Sequence, residues 1–193
     1  NLSHEIEKKY YLESIRAVFQ LKDSYRRFPA DVEFINDLQN KDVYHFRNRN
    51  YLLGKLENFD TKEPNLVVNY TIEHIMPQNP DLSEKWKEDL GENWVEVQKK
   101  YLHTLGNLTL TAYNSDMSDR PFQEKISIKG GFKESGIRLN VGLSQLTTWN
   151  EHEIIQRWKR LAYLAAKVWV HPDLPQNVLE RYRKTVTNTN EEN

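Results

Sequence analysis

The sequence predicts an α+β protein, mainly helical, with two short strands near its middle. Three observations predict it. Apolar residues recur at helical spacing over the first 60 residues and again after residue 148. Two β-favouring runs, 66–72 and 105–111, interrupt that texture. Polar segments containing proline or glycine mark each change. A length of 193 residues suits one domain of ordinary size, or one with a helical extension.

Taken in order, Tyr11, Ile15, Val18 and Tyr25 fall on one helix face. Phe28-Pro29-Ala30-Asp31 breaks that helix, and Asp31 caps a second one carrying Val32, Ile35 and Leu38. A third helical stretch is expected from about Asp42 to Phe59, carrying Val43, Phe46, Leu53 and Leu56. These stripes need one another for burial, so residues 1–60 are expected to form a small bundle. Asp60 to Asn65 is a polar connection, after which Leu66-Val67-Val68 and Tyr70-Thr71-Ile72 favour a strand. Met76-Pro77-Gln78-Asn79-Pro80 ends it, since prolines cannot continue a ladder. Residues 83–100 read as helix, weakened at Gly91, and Leu105 to Thr111 as a second strand. Asn114 to Asp119 is a polar loop before a helix with Pro121 in its first turn and Phe122 and Ile126 inside. Thr148 and Glu151 form a capping box for a last long helix, striped by Ile154, Trp158, Leu161, Ala165 and Val168. Residues 61–184 therefore read as a second region, and 185–193 as a disordered tail.

Composition excludes several function classes. Lys and Arg number 27 against 28 Asp and Glu, which rules out a general basic coat for nucleic acid. Within 120–138 the balance is five positive to two negative, the best local candidate for a phosphate-facing surface. No cysteine is present, so neither a disulfide framework nor a Cys-built zinc site is available, and no zinc is expected. No apolar run reaches the roughly 20 residues that span a bilayer, so no membrane partner is expected. The chain opens Asn1-Leu2-Ser3, with neither an initiator Met nor a basic-then-apolar leader, and reads as a piece of a longer protein.

The chemistry concentrates between residues 66 and 128. Glu73 and His74 lie at the end of the first strand, Asn107 opens the second, and Asn114 lies before the next helix. Adjacent strand residues point to opposite faces, so Glu73 and His74 can share a site only where the strand ends. Phosphodiester hydrolysis needs a base for water, positive charge for the phosphate and neutralisation of the leaving oxygen. A neutral imidazole suits the first task. A carboxylate and an amide oxygen suit a hard cation for the others. Each residue also has a plain structural use: Asn107 as a turn residue, Asn114 and Ser118 as caps.

Thr71-Ile72-Glu73-His74-Ile75-Met76-Pro77-Gln78 resembles the first half of the His-Me finger (HNH-type) nuclease motif. Leu105-Gly106-Asn107-Leu108-Thr109-Leu110 resembles its central strand, and Asn114 to Lys125 its closing Asn and helix. Together, and with flanks at Arg49-Asn50-Tyr51-Leu52-Leu53 and Trp149 to Trp169, they resemble the C-terminal nuclease domain of GmrSD-type modification-dependent restriction enzymes over roughly residues 30–170. The resemblance implies a ββα-metal core framed by helices. It implies a DNA endonuclease that restricts foreign or modified phage DNA in the cytoplasm of a bacterium or archaeon. It also implies a nucleotide-using, ParB-like N-terminal sensor domain as partner. His74 would be the general base and Asn107 would hold it. Glu73 and Asn114, or alternatively Asp116 or Ser115, would bind Mg²⁺ or Mn²⁺. Arg120, Lys125 and Lys129 would face DNA, while His103 and Gln78 are candidate accessory residues. Two departures stand out: Glu73 replaces the usual Asp, and the Asn107–Asn114 interval is short. A non-catalytic DNA-binding or docking module and an RNA-directed nuclease are the alternative readings.

Overall fold

The computed structural model describes the backbone of residues 10–190 and the side chains of residues 10–183. It is α+β, about 54% helical, with one two-stranded sheet. The elements run α1 (Tyr11–Leu21), α2 (Asp31–Asn40), α3 (Arg49–Glu57), β1 (Thr71–His74), α4 (Glu84–Leu90), α5 (Trp94–Tyr101), β2 (Leu108–Thr111), α6 (Asn114–Met117), α7 (Phe122–Ser127), α8 (Glu151–Val168) and α9 (Gln176–Asn190). Among the described residues no helix is long and apolar enough to cross a membrane.

Among the described residues two compact units form, 10–34 with 169–190 and 35–168. In the first unit, α1 packs along α9, where the Ser14 and Tyr182 hydroxyls lie 3.1 Å apart and Glu13 accepts from Tyr182 at 3.1 Å. Helix α1 buries Ser14 and Ala17, while Tyr11 and Tyr25 of the expected stripe are exposed. Helix α9 runs to Asn190, through most of the stretch expected to be a disordered tail; residues 191–193 of that expectation, and residues 1–9 of the expected bundle, lie outside the described residues.

In the second unit, α3 packs on α8. Buried Glu57 at its end explains the joining of distant segments. Its carboxylate accepts from the backbone N–H of Arg138 at 2.8 Å and of Leu139 at 2.9 Å, and from Asn65 Nδ2 at 2.7 Å. The core gathers Ile75, Met76, Trp86, Met117, Phe122 and Trp149. Strands β1 and β2 pair antiparallel, Thr71 opposite Thr111 and His74 opposite Leu108.

Several elements are shorter than the periodicity suggests, each for a local reason. Residues 42–48 are not helical: Asp42 accepts from its own downstream backbone at His45 N, 2.9 Å. The N–H groups of Val43 and Tyr44 go to the carbonyl of His103, at 2.9 and 3.3 Å. Residues 83–100 split at Gly91, whose φ of 83° stops α4. Val67–Asn69 forms a 3₁₀ turn, leaving only Thr71–His74 as strand. The long helix α8 starts at Glu151, and Asn150 rather than Thr148 accepts from its first turn, at Glu153 N, 3.1 Å.

Candidate active site

Strand β1 ends at His74, and the next three residues are buried with it. His74 is 5% exposed, with Tyr44 and His103 against its ring. Its Nε2 lies 3.1 Å from Nδ1 of His103, so the two imidazoles share one proton. Tyr44 meets the His74 ring edge-on at 4.5 Å and stacks on His103 at 5.3 Å. His45 meets His103 edge-on at 4.7 Å and is itself held by Asp42, 2.8 Å from its Nδ1. Burial lowers the pKa of His74 to about 3, with the positive charges of His103, Lys125 and His45 acting in the same direction and Asp42 against it. His74 is therefore a neutral imidazole with a lone pair to offer. Burial also lowers the half-buried His103, and Asp42 opposes that shift.

Glu73 turns to the other side of the strand, as strand alternation requires. Its carboxylate meets Lys125 Nζ of α7 at 2.6 Å, with Lys125 0% and Glu73 3% exposed. The same ammonium donates to the carbonyl of His74 at 2.9 Å. Burial pushes the Glu73 carboxyl up and the Lys125 ammonium down, and each charge opposes the other's shift.

Asn107, fully buried, spends its amide on the chain that follows His74. Its Oδ1 accepts from Met76 N at 2.8 Å and from the Trp149 indole at 3.1 Å. Its Nδ2 donates to the carbonyls of Met76 and Leu102, both at 3.0 Å. These bonds reach the backbone beside His74 and not its ring, so the bracing is indirect. Arg157 stiffens the preceding turn by donating to the carbonyls of Leu105 at 3.1 Å and Gly106 at 2.8 Å. Burial, helped by Arg160, lowers the guanidinium pKa to about 9.

Asn114 and Asp116 are exposed on α6, which packs beside β1, and Ser115 is exposed between them. Arg120 donates to Asp116 O at 2.8 Å and pairs with Glu124 at 3.1 Å. Lys129 and Gln78 are exposed. Lys125, expected to face phosphate, is buried instead, because the carboxylate of Glu73 and the carbonyl of His74 offer partners inside the protein. Arg138 is likewise tied to the carbonyl of Phe59 at 2.6 Å. The positive stretch 120–138 thus presents chiefly Lys129 and Lys133 as uncommitted cations.

Among the described residues no group of three or more His, Asp or Glu is gathered to hold a metal. Mg²⁺ needs fewer, one or two carboxylates with water and phosphate. Asn114 and Asp116 keep exposed oxygens of the right type. Glu73, expected as a ligand, does not fit as it stands, because an ammonium already occupies its carboxylate. Sequence reasoning missed Tyr44, His45 and Trp149 as members of this neighbourhood. The only available signal was Asp42, a turn former three residues before His45.

Comparison with known proteins adds the family. No curated protein matches the chain, and no solved structure does. The family described as "GmrSD restriction endonucleases, C-terminal domain" matches residues 28–164, which include the hairpin, α6, α7 and most of α8. The chain therefore belongs to the family of C-terminal domains of GmrSD restriction endonucleases.

Proposed function

We propose that this domain hydrolyses DNA phosphodiester bonds with His74 as the general base, on a ββα-metal core made of β1, β2 and the α6–α7 segment. The observation that carries the reading is the imidazole of His74 at a strand end, hydrogen-bonded to His103 and with its backbone pinned by Lys125 and Asn107, inside the stretch matched by a restriction endonuclease family. A base of this kind contributes by taking the proton of the attacking water. Asn114 and Asp116 would hold Mg²⁺ or Mn²⁺, which when bound supplies positive charge for the phosphate and the leaving oxygen. Exposed Lys129 and Arg120 would meet the DNA backbone. Membership in a restriction family supports DNA as substrate and foreign or modified DNA as target. A nucleotide-using sensor domain as partner, and a bacterial or archaeal cytoplasm as setting, belong to the same reading.

The test is nicking of supercoiled plasmid with Mg²⁺ or Mn²⁺, with His74→Ala alongside. Wild-type protein should nick, and the variant should lose about a hundredfold or more in rate, as loss of a general base does. No nicking at high enzyme would point to a DNA-binding module instead. Equal nicking by both proteins would remove His74 as the base. Faster cutting of structured RNA would reassign the substrate.

A further inference from the structure

Asn107, the residue whose place in the sequence suggests an imidazole holder, is fully committed to backbone and to Trp149. Among the described residues, the side chain hydrogen-bonded to the His74 ring is another imidazole, that of His103. His103 is itself fixed. Its carbonyl accepts from Val43 N and Tyr44 N, and Tyr44 lies nearly parallel on its ring, 15° apart. His103 is half-buried where His74 is almost closed off, so a proton on His103 is nearer solvent.

We infer that His103 is the positioning residue for His74 and the first acceptor of the proton that His74 removes from water. The inference rests on the nuclease reading for its chemistry, and on the 3.1 Å imidazole pair for its geometry. In the resting pair, His74 carries its proton on Nε2 and donates it to His103 Nδ1. Nδ1 of His74 is then the lone pair aimed at water. As the water oxygen bonds to phosphorus, its proton passes to His74 Nδ1 and the Nε2 proton moves to His103 Nδ1. The bond from phosphorus to the leaving oxygen breaks, and that oxygen takes a proton from water. His103 releases a proton to solvent from Nε2 of its half-exposed ring. The resting pair returns when His74 Nδ1 gives up its proton, His103 Nδ1 hands its own back to His74 Nε2, and His103 Nε2 is reprotonated from water. The pair suits this order because a buried imidazolium at His74 is disfavoured. The charged and titratable groups around the pair are Glu73 and Lys125 behind β1, Tyr44 against both rings with Arg49 over its own ring, and Asp42 and His45 beyond His103. Asp42 lies on the side to which the positive charge moves.

The experiment uses the full chain and two readouts. Imidazole ¹⁵N NMR should show His74 as the Nε2–H tautomer in wild type and a mixture of tautomers in His103→Ala. In the plasmid assay His103→Ala should lower kcat about tenfold or more with KM within about twofold, and added imidazole should restore part of the rate. Restoration by a free imidazole would not follow from a merely structural role. An unchanged His74 tautomer, or wild-type kcat in His103→Ala, overturns the inference. The NMR readout needs no substrate: if the tautomer shifts but wild-type protein cuts nothing, the nuclease reading fails while the His103–His74 pair stands.

Discussion

Lys125 Nζ sits 2.6 Å from Glu73 Oε1, and both residues are sealed from solvent directly behind the strand that ends in His74. A buried pair of this kind adds little net stability, yet it becomes costly once one partner is removed. Lys125→Ala should therefore destabilise the domain by about 3–5 kcal/mol in urea unfolding. The apolar double variant Glu73→Leu with Lys125→Met should recover most of that loss and still cut slowly, because Lys125 no longer holds the His74 carbonyl. Wild-type kcat in a folded double variant would show that the pair does not position His74. Mn²⁺ binding read by titration calorimetry should be weakened by Asp116→Asn and unchanged in Glu73→Gln.

Asn107 both accepts and donates, and one substitution separates the two halves of its work. Asn107→Asp keeps the shape and the bonds from Met76 N and Trp149. It replaces the donor to the carbonyls of Met76 and Leu102 with an acceptor. Two buried carbonyls would then lack a partner, a loss of about 2 kcal/mol or more. Thermal unfolding should report it, together with a lower kcat as the Ile75–Pro77 backbone loosens.

Gly106 is a matter of space. A Cβ there would lie 2.7 Å from the Ile154 carbonyl and 2.9 Å from the Ile154 side chain, on α8. Gly106→Ala must push α8 away from the turn that presents Asn107. Overpacking of this kind costs about 1–3 kcal/mol. Gly136→Ala, where nothing stands within 4 Å, is the control and should unfold like wild type.

Stability should fall with acid before the carboxylates titrate. His74 has a native pKa of about 3 against an ordinary 6.5, so the unfolded chain binds the extra proton in that window. Stability is then highest above pH 6.5 and declines by up to about 1.4 kcal/mol per pH unit toward pH 3. Glu73, raised by burial, opposes this where it titrates. Urea midpoints at pH 7.5 and pH 5.5 check the sign, and His74→Gln should flatten the difference.

Much of the fold and part of the candidate site were legible because local rules decide them. The helical stripe of α8 and the prolines after His74 follow from residue type and spacing. So does the Glu73–His74 alternation across a strand. What the sequence could not decide is which side chain meets which. Lys125 and Glu73 stand 52 positions apart, His74 and His103 are 29 apart, and Glu57 reaches the N–H groups of residues 138–139. The Asp42–His45 turn looked helical until its backbone N–H groups found the His103 carbonyl. Lys125 looked like a surface cation until a carboxylate and a carbonyl inside the fold offered it better company than water. Spacing along the chain specifies faces and ends. Only the folded chain sets the partners of a buried charge, because burial makes pairing obligatory without naming the partner.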